Sequence, residues 1–126
     1  MDQTLIIVNE YRLLAEASDF VAAITALAAR VDREGERGVL SYRFHASSLE
    51  PAAAAVVHYR DPAAWIGHHE TAMVWPEMAG LHRVAKLARV TALGPVTEAI
   101  HAWLARSGLV VEWRHFDIRA AGFDRF

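Results

Sequence analysis

The sequence predicts an α+β fold, one antiparallel sheet with helices packed on a single face. Three observations carry that reading. Segments of strand period and helix period alternate in the order strand, helix, strand, strand, helix, strand. Glycine and proline punctuate the joints, at Gly35, Gly38, Pro51, Pro62, Pro76 and the pair Gly94-Pro95. The 126 residues are 54% hydrophobic and 22% charged, which is the balance of one globular domain and not of a disordered chain.

Thr4 to Leu14 is rich in Leu, Ile, Val and Tyr and alternates around Asn9, Glu10, Tyr11 and Arg12, as a strand half-buried on one side does. From Ser18, an N-cap type of residue, Phe20, Ile24, Leu27 and Val31 recur at helical spacing until Gly35. Gly38 releases a second strand, Val39 to Ala46, and the turn-rich residues 47–51 separate it from a third, Ala52 to Arg60. The two form an antiparallel hairpin. Asp61 as N-cap with Pro62 behind it starts a helix over 62–74, and Pro76 breaks it, leaving a short turn to Leu81. Val84 to Leu93 is the fourth strand. This order is the split βαβ motif of ferredoxin-like folds. A third helix over 95–106 then places Val96, Ile100, Trp103 and Leu104 on one stripe, and a fifth strand spans 109–118. Residues 1–94 thus form the ferredoxin-like unit and 95–126 a helix-strand extension of the same domain. The exposed edge of that extension is expected to reinforce a dimer, and to contribute little to catalysis.

Charge and composition remove several functions. A net charge of −2 leaves no basic field for nucleic acid or anionic lipid. With no cysteine, disulfides, thiolate metal sites and a Cys nucleophile are excluded together. No segment is apolar over the length of a membrane span and no basic leader opens the sequence, so a cytoplasmic protein is expected. No Gly-x-Ser-x-Gly turn and no glycine-rich phosphate loop follows a strand. The run His68-His69-Glu70-Thr71-Ala72-Met73 lacks the second histidine of a zinc helix, so no metal is expected.

Seven histidines remain as candidate bases. If Ser47 faces Ala52 in the hairpin, Ser41, Arg43, His45, Val56 and His58 share one face of the sheet, and Leu40, Tyr42, Phe44, Ala55, Val57 and Tyr59 the other. The first set is too polar for a plain core: it lines a cavity, or it is partly solvated, with Arg43 pairing across a dimer seam. On the second helix Trp65 and His68 share a face, either as an aromatic wall beside a titratable ring or as core packing, whereas His69 points to solvent. A sheet covered by helices on one side only also needs a second copy on the other, so a homodimer is expected.

Residues 56–71, Val-Val-His-Tyr-Arg-Asp-Pro-Ala-Ala-Trp-Ile-Gly-His-His-Glu-Thr, resemble the antibiotic biosynthesis monooxygenase superfamily of dimeric α+β barrels. In that family a strand ending in an aromatic leads into a helix carrying Ala-x-x-x-His followed by Glu-Thr. Ala64, His68, Glu70 and Thr71 match, and Met73 stands where the family has a second His. Within the superfamily the chain is similar to quinone-forming monooxygenases of aromatic polyketide pathways at His45-Ala46-Ser47 and at Val56-Val57 before a polar residue and Tyr59. Those enzymes need no metal or flavin, because an electron-rich phenolate itself donates to dioxygen. They carry Asn where this chain has His58, and a following Trp without counterpart here. The haem-degrading branch uses an Asn on the first strand, which Asn9 matches, but its helical Trp position carries His68 and its axial His is missing.

The resemblance implies a cofactor-independent monooxygenase acting on a planar phenolic or quinol-type small molecule. His45 or His58 would be the base, with His68 in the site, Trp65 and Tyr59 walling the pocket, and Asn9 or Arg43 holding the developing oxyanion. The alternative is a non-catalytic dimeric barrel, a stress-response or accessory protein that binds a small apolar ligand.

Overall fold

The structure, a computed structural model, describes residues 2–126. The elements run β1 (Leu5–Leu13), α1 (Ala17–Glu34), β2 (Val39–Ala46), β3 (Ala52–Tyr59), α2 (Pro62–Ala72), α3 (Pro76–Val84), β4 (Ala85–Leu93), α4 (Glu98–Ser107) and β5 (Glu112–Phe116). They build one sheet in the order β2-β3-β1-β4-β5. The first four strands are antiparallel, as a split βαβ fold requires, and β5 adds to the β4 edge in parallel. The sheet is therefore mixed. A parallel neighbour needs a crossover, and α4 is that crossover. The extension accordingly pairs with β4 of its own chain on one side and leaves the outer edge of β5 open.

The hairpin register is the one the sequence implies, with Ser47 N–H donating to the Ala52 carbonyl at 2.9 Å and Ser41 opposite His58. A bulge between Val39 and Ser41 alters one position. It turns Val39 toward the core and Leu40 outward, where it is 59% exposed, instead of alongside Tyr42. Leu5, Ile7, Tyr11, Val57, Tyr59, Val90 and Ala92 are buried on the helix-covered face. α1 closes one half of that face with Phe20, Ile24, Leu27 and Val31, the Phe20 ring lying 6.1 Å from Tyr11 and 6.3 Å from Phe44. It begins at Ala17, one residue before the expected cap Ser18, with Glu16 as the N-cap, whose N–H donates to the Asp19 carboxylate at 3.2 Å.

Pro76 ends α2 and also opens a full helix, α3, where a turn is expected from the sequence. A fixed φ and a missing N–H cost nothing at the first helical position, so the residue that breaks one helix starts the next. Val84 consequently closes α3 and does not open β4. α3 buries Met78 and Leu81, and Glu77 accepts from Arg30 at 2.9 Å while the guanidinium lies 4.3 Å from the Trp75 ring, tying α3 to α1. No helix among the described residues is long and apolar enough to cross a membrane.

Gly94 makes the turn from β4 toward α4 at φ 123°, and a Cβ there would meet the Thr4 carbonyl oxygen at 2.6 Å. Both strain and overlap oppose a side chain. Gly94→Ala is expected to cost about 1–3 kcal/mol in urea unfolding, whereas the same change at Gly122, where an added Cβ meets nothing within 4 Å, is expected to be silent.

Candidate functional site

The second half of the helix-covered face carries less filling than the first. Between the sheet and α2, α3 and α4 lies a cavity of about 170 Å³. Ile7, Asn9 and Tyr11 of β1, Tyr42 of β2, Val57 and Tyr59 of β3, Val90 of β4 and Trp113 of β5 form its floor. Trp65, His68 and His69 of α2 and Met78 and His82 of α3 form its roof, and Trp103 and Leu104 of α4 close one side.

α2 is seated low over this floor. Asp61 Oδ1 accepts from the Ala64 N–H at 2.8 Å, which fixes the first turn. A Cβ at Gly38 would overlap the Ala64 Cβ, so glycine is what lets the helix approach the start of β2. The helix then drives His68, 3% exposed, between the Tyr42 and Tyr59 rings, at centroid distances of 5.3 and 6.0 Å. Trp65 lies beside it on the same face. His69, one position on, donates Nδ1–H to the Trp65 carbonyl at 2.7 Å, which leaves its Nε2 as acceptor. Its ring stacks 4.0 Å from Trp65 and meets Trp103 edge-on at 5.3 Å. His69 is thus covered and not solvent-facing, because α4 lies across α2 where the sequence of α2 alone implies open water.

Every group that lines the cavity is uncharged at neutral pH. Burial, with a smaller contribution from neighbouring His69, lowers the His68 pKa to about 3. Burial likewise lowers His69 to about 4, against the opposing effect of its bond to Trp65, and moves His82 down. Tyr11, Tyr42 and Tyr59 are pushed up by burial and stay phenols. No Asp, Glu, Lys or Arg lines the space. The His68 Nδ1 and Trp113 Nε1 atoms are buried without a hydrogen-bond partner. Among the described residues no cluster of His and carboxylates has the makings of a metal site.

The site residues implied by the sequence divide between two faces. Asn9, Tyr59, Trp65 and His68 meet around the cavity. Arg43, His45 and His58 alternate with Tyr42, Phe44, Val57 and Tyr59 and so lie on the helix-free face, where Arg43 Nε donates to Ser41 Oγ at 3.2 Å and both Arg43 and His45 are exposed. Tyr11, Tyr42, His69, Trp103 and Trp113 are the lining residues that sequence reasoning did not gather. Their signal was present as apolar alternation and a helical stripe, which fits a filled core as well as a cavity wall.

No protein-family profile matches the chain, and no curated protein matches it. Solved structures do. MupZ from Pseudomonas fluorescens superposes with TM-score 0.70 at 17% identity, covering 98% of this chain and 95% of its own, so the likeness runs through the C-terminal extension. SnoaB, a cofactor-independent oxygenase from Streptomyces nogalater, superposes with TM-score 0.59 at 12% identity over 75% of this chain and 95% of its own. A Caulobacter crescentus protein provisionally named an antibiotic biosynthesis monooxygenase does so with TM-score 0.62 at 20% identity over 76% of this chain and 92% of its own. The chain has an antibiotic-biosynthesis-monooxygenase-like fold.

The lowered histidines make stability depend on pH. Below the ordinary histidine value of 6.5 the unfolded chain takes up a proton that folded His68 refuses until about pH 3, so stability falls as the solution is acidified through that window. His68 alone contributes a slope of up to about 1.4 kcal/mol per pH unit. Urea unfolding of His68→Phe between pH 6.5 and 4 is expected to show a shallower decline than the wild type.

Proposed function

We propose that the protein is a cofactor-independent monooxygenase acting on a planar, phenolic or quinol-type small molecule held in the cavity under α2. The observation that carries this is the aromatic-walled space lined by neutral His68, whose buried Nδ1 has no hydrogen-bond partner. A molecule of one or two rings suits its volume, since a cavity of roughly 150 Å³ accepts benzene. The cofactor-independent oxygenase activity of SnoaB, on a related fold, is consistent with it.

His68 takes the hydroxyl proton of the substrate at Nδ1. An imidazole with so low a pKa is a weak base in the empty cavity, but the phenolate formed beside it raises its proton affinity, because the ion pair is created where little water screens it. Asn9 donates its amide N–H to the developing oxyanion, and Trp65 and Tyr59 hold the ring plane. The phenolate passes one electron to dioxygen, the resulting radicals combine at a ring carbon bearing hydrogen, the peroxide anion takes back the proton held by His68, and the hydroperoxide loses water together with that C–H hydrogen to leave a new carbonyl. One oxygen atom stays in the product and the other leaves as water. We further propose that the helix-free face, with Ile6, Val8 and Val56 at its centre and Glu10, Arg12 and Arg43 around them, pairs with a second copy.

A second reading has its own support. The cavity has no ionised group to stabilise a phenolate, which suits a protein that binds an uncharged ring compound without turning it over. Oxygen uptake by metal-free protein with naphthols and naphthohydroquinones separates the two. Catalysis above buffer that drops about 10²–10⁴-fold in His68→Ala, and persists in the His45→Ala, His58→Ala double variant, is the expected result. Uptake equal to buffer with ligand still bound would replace the enzyme reading by the binding one.

A further inference from the structure

We propose that Trp113 is a ligand-positioning residue of this cavity: its indole N–H donates to an oxygen at one end of a flat, uncharged, two-ring molecule whose far end carries a second polar group for His68. The inference rests on the reading of the cavity as a small-molecule site, and adds to it the shape and polarity of the ligand.

Three side-chain polar atoms among the described residues are buried without a hydrogen-bond partner, and two of them, His68 Nδ1 and Trp113 Nε1, belong to residues lining the cavity. Buried polar groups are almost always satisfied, so a pair of exceptions around one space calls for an occupant. The third, Arg30 Nε, lies 3.3 Å from the Glu34 carboxylate, away from the cavity. An indole N–H can only donate, so its partner is an acceptor. No cation lines the space to compensate an anion, so that acceptor is a carbonyl or hydroxyl oxygen and not a carboxylate or phosphate.

The two residues belong to opposite ends of the sheet. Trp113 lies on β5 in register with Val90 of β4, whose partner on β1 is Asn9. His68 sits over Tyr42 of β2 and Tyr59 of β3. β5 is three places from β3 in the sheet, roughly 14 Å between strand axes at ordinary strand spacing. Side chains reaching inward from both ends leave the length of a fused two-ring system. The flat Trp65 and Trp103 rings, 5.2 Å apart and edge to face, wall the same space.

Titration calorimetry with naphthalene, 2-naphthol and 2,6-dihydroxynaphthalene tests this on the intact chain. Wild-type protein is expected to bind the diol tightest and naphthalene weakest. Trp113→Phe, which keeps a ring and removes the donor, is expected to weaken the diol about three- to tenfold and to leave naphthalene unchanged. Proton–nitrogen spectra of the wild type, with the Trp113 indole resonance assigned by through-space contacts, are expected to show it moving downfield with the diol and not with naphthalene; this measurement decides the matter if the variant fails to fold. Equal losses for all three probes would show a packing role, and no loss at all would show no role; either overturns the assignment while leaving a binding cavity in place. Failure of the wild type to bind any of the three would overturn the cavity reading and this one with it.

Discussion

α2 rests on the sheet through Ala64 at the glycine of the β2 approach, and through His68 wedged between two tyrosines. Nearly everything distinctive in the molecule depends on that seating. It strips water from the imidazole and so sets its proton affinity, it fixes the height of the cavity, and it offers the Trp65–His69 surface on which α4 comes to rest. A larger residue at position 38 would lift the helix, admit water, and return the histidine toward ordinary behaviour. The packing contact and the chemistry are in this sense one feature.

A cavity whose polar groups are all neutral selects ligands differently from a charged one. Coulombic attraction contributes little there, and steering from a distance contributes less. Discrimination comes from unpaired hydrogen-bonding groups and from shape. A site of that kind rejects a molecule lacking the right oxygen more sharply than one that differs by a methylene, because the protein group would remain buried and unsatisfied.

The fold was largely legible in the sequence because its devices are local. Gly35, Gly38, Asp61-Pro62 and Gly94 mark boundaries by backbone chemistry, and the α1 stripe of Phe20, Ile24, Leu27 and Val31 has one interpretation. α3 is not legible because proline signals a stop and a start with equal force, and the residues behind it as far as Leu81 read as a short turn. Leu40 was turned outward by a bulge, which leaves no trace in an alternating pattern. The site was legible only by halves. Asn9, Tyr59, Trp65 and His68, which line the cavity, stand out in the sequence by their chemistry, but Tyr42, Trp103 and Trp113 are indistinguishable from core, since alternation names the inner face without saying whether it is filled. His45, His58 and Arg43 drew notice for the opposite reason: polarity on a strand points to function or to solvent, and for Arg43 and His45 the structure shows solvent.

α4 and β5 differ in one respect from the rest of the chain. α4 buries only Ile100 completely, and β5 is five residues on an open edge, with positive-φ glycines where the chain leaves β4 at Gly94 and where α4 ends at Gly108. Few buried groups hold this pair, so it belongs to the low end of the molecule's local opening free energies. It is also the wall that carries Trp103 and Trp113. The amides of α4 and β5 are therefore expected to exchange with solvent through excursions that leave the four-stranded core folded, and such excursions would open this wall of the cavity. For a ligand held there as proposed, residence time would follow how often that small unit opens, a property that substitutions on α4's outer surface would tune without touching the cavity lining.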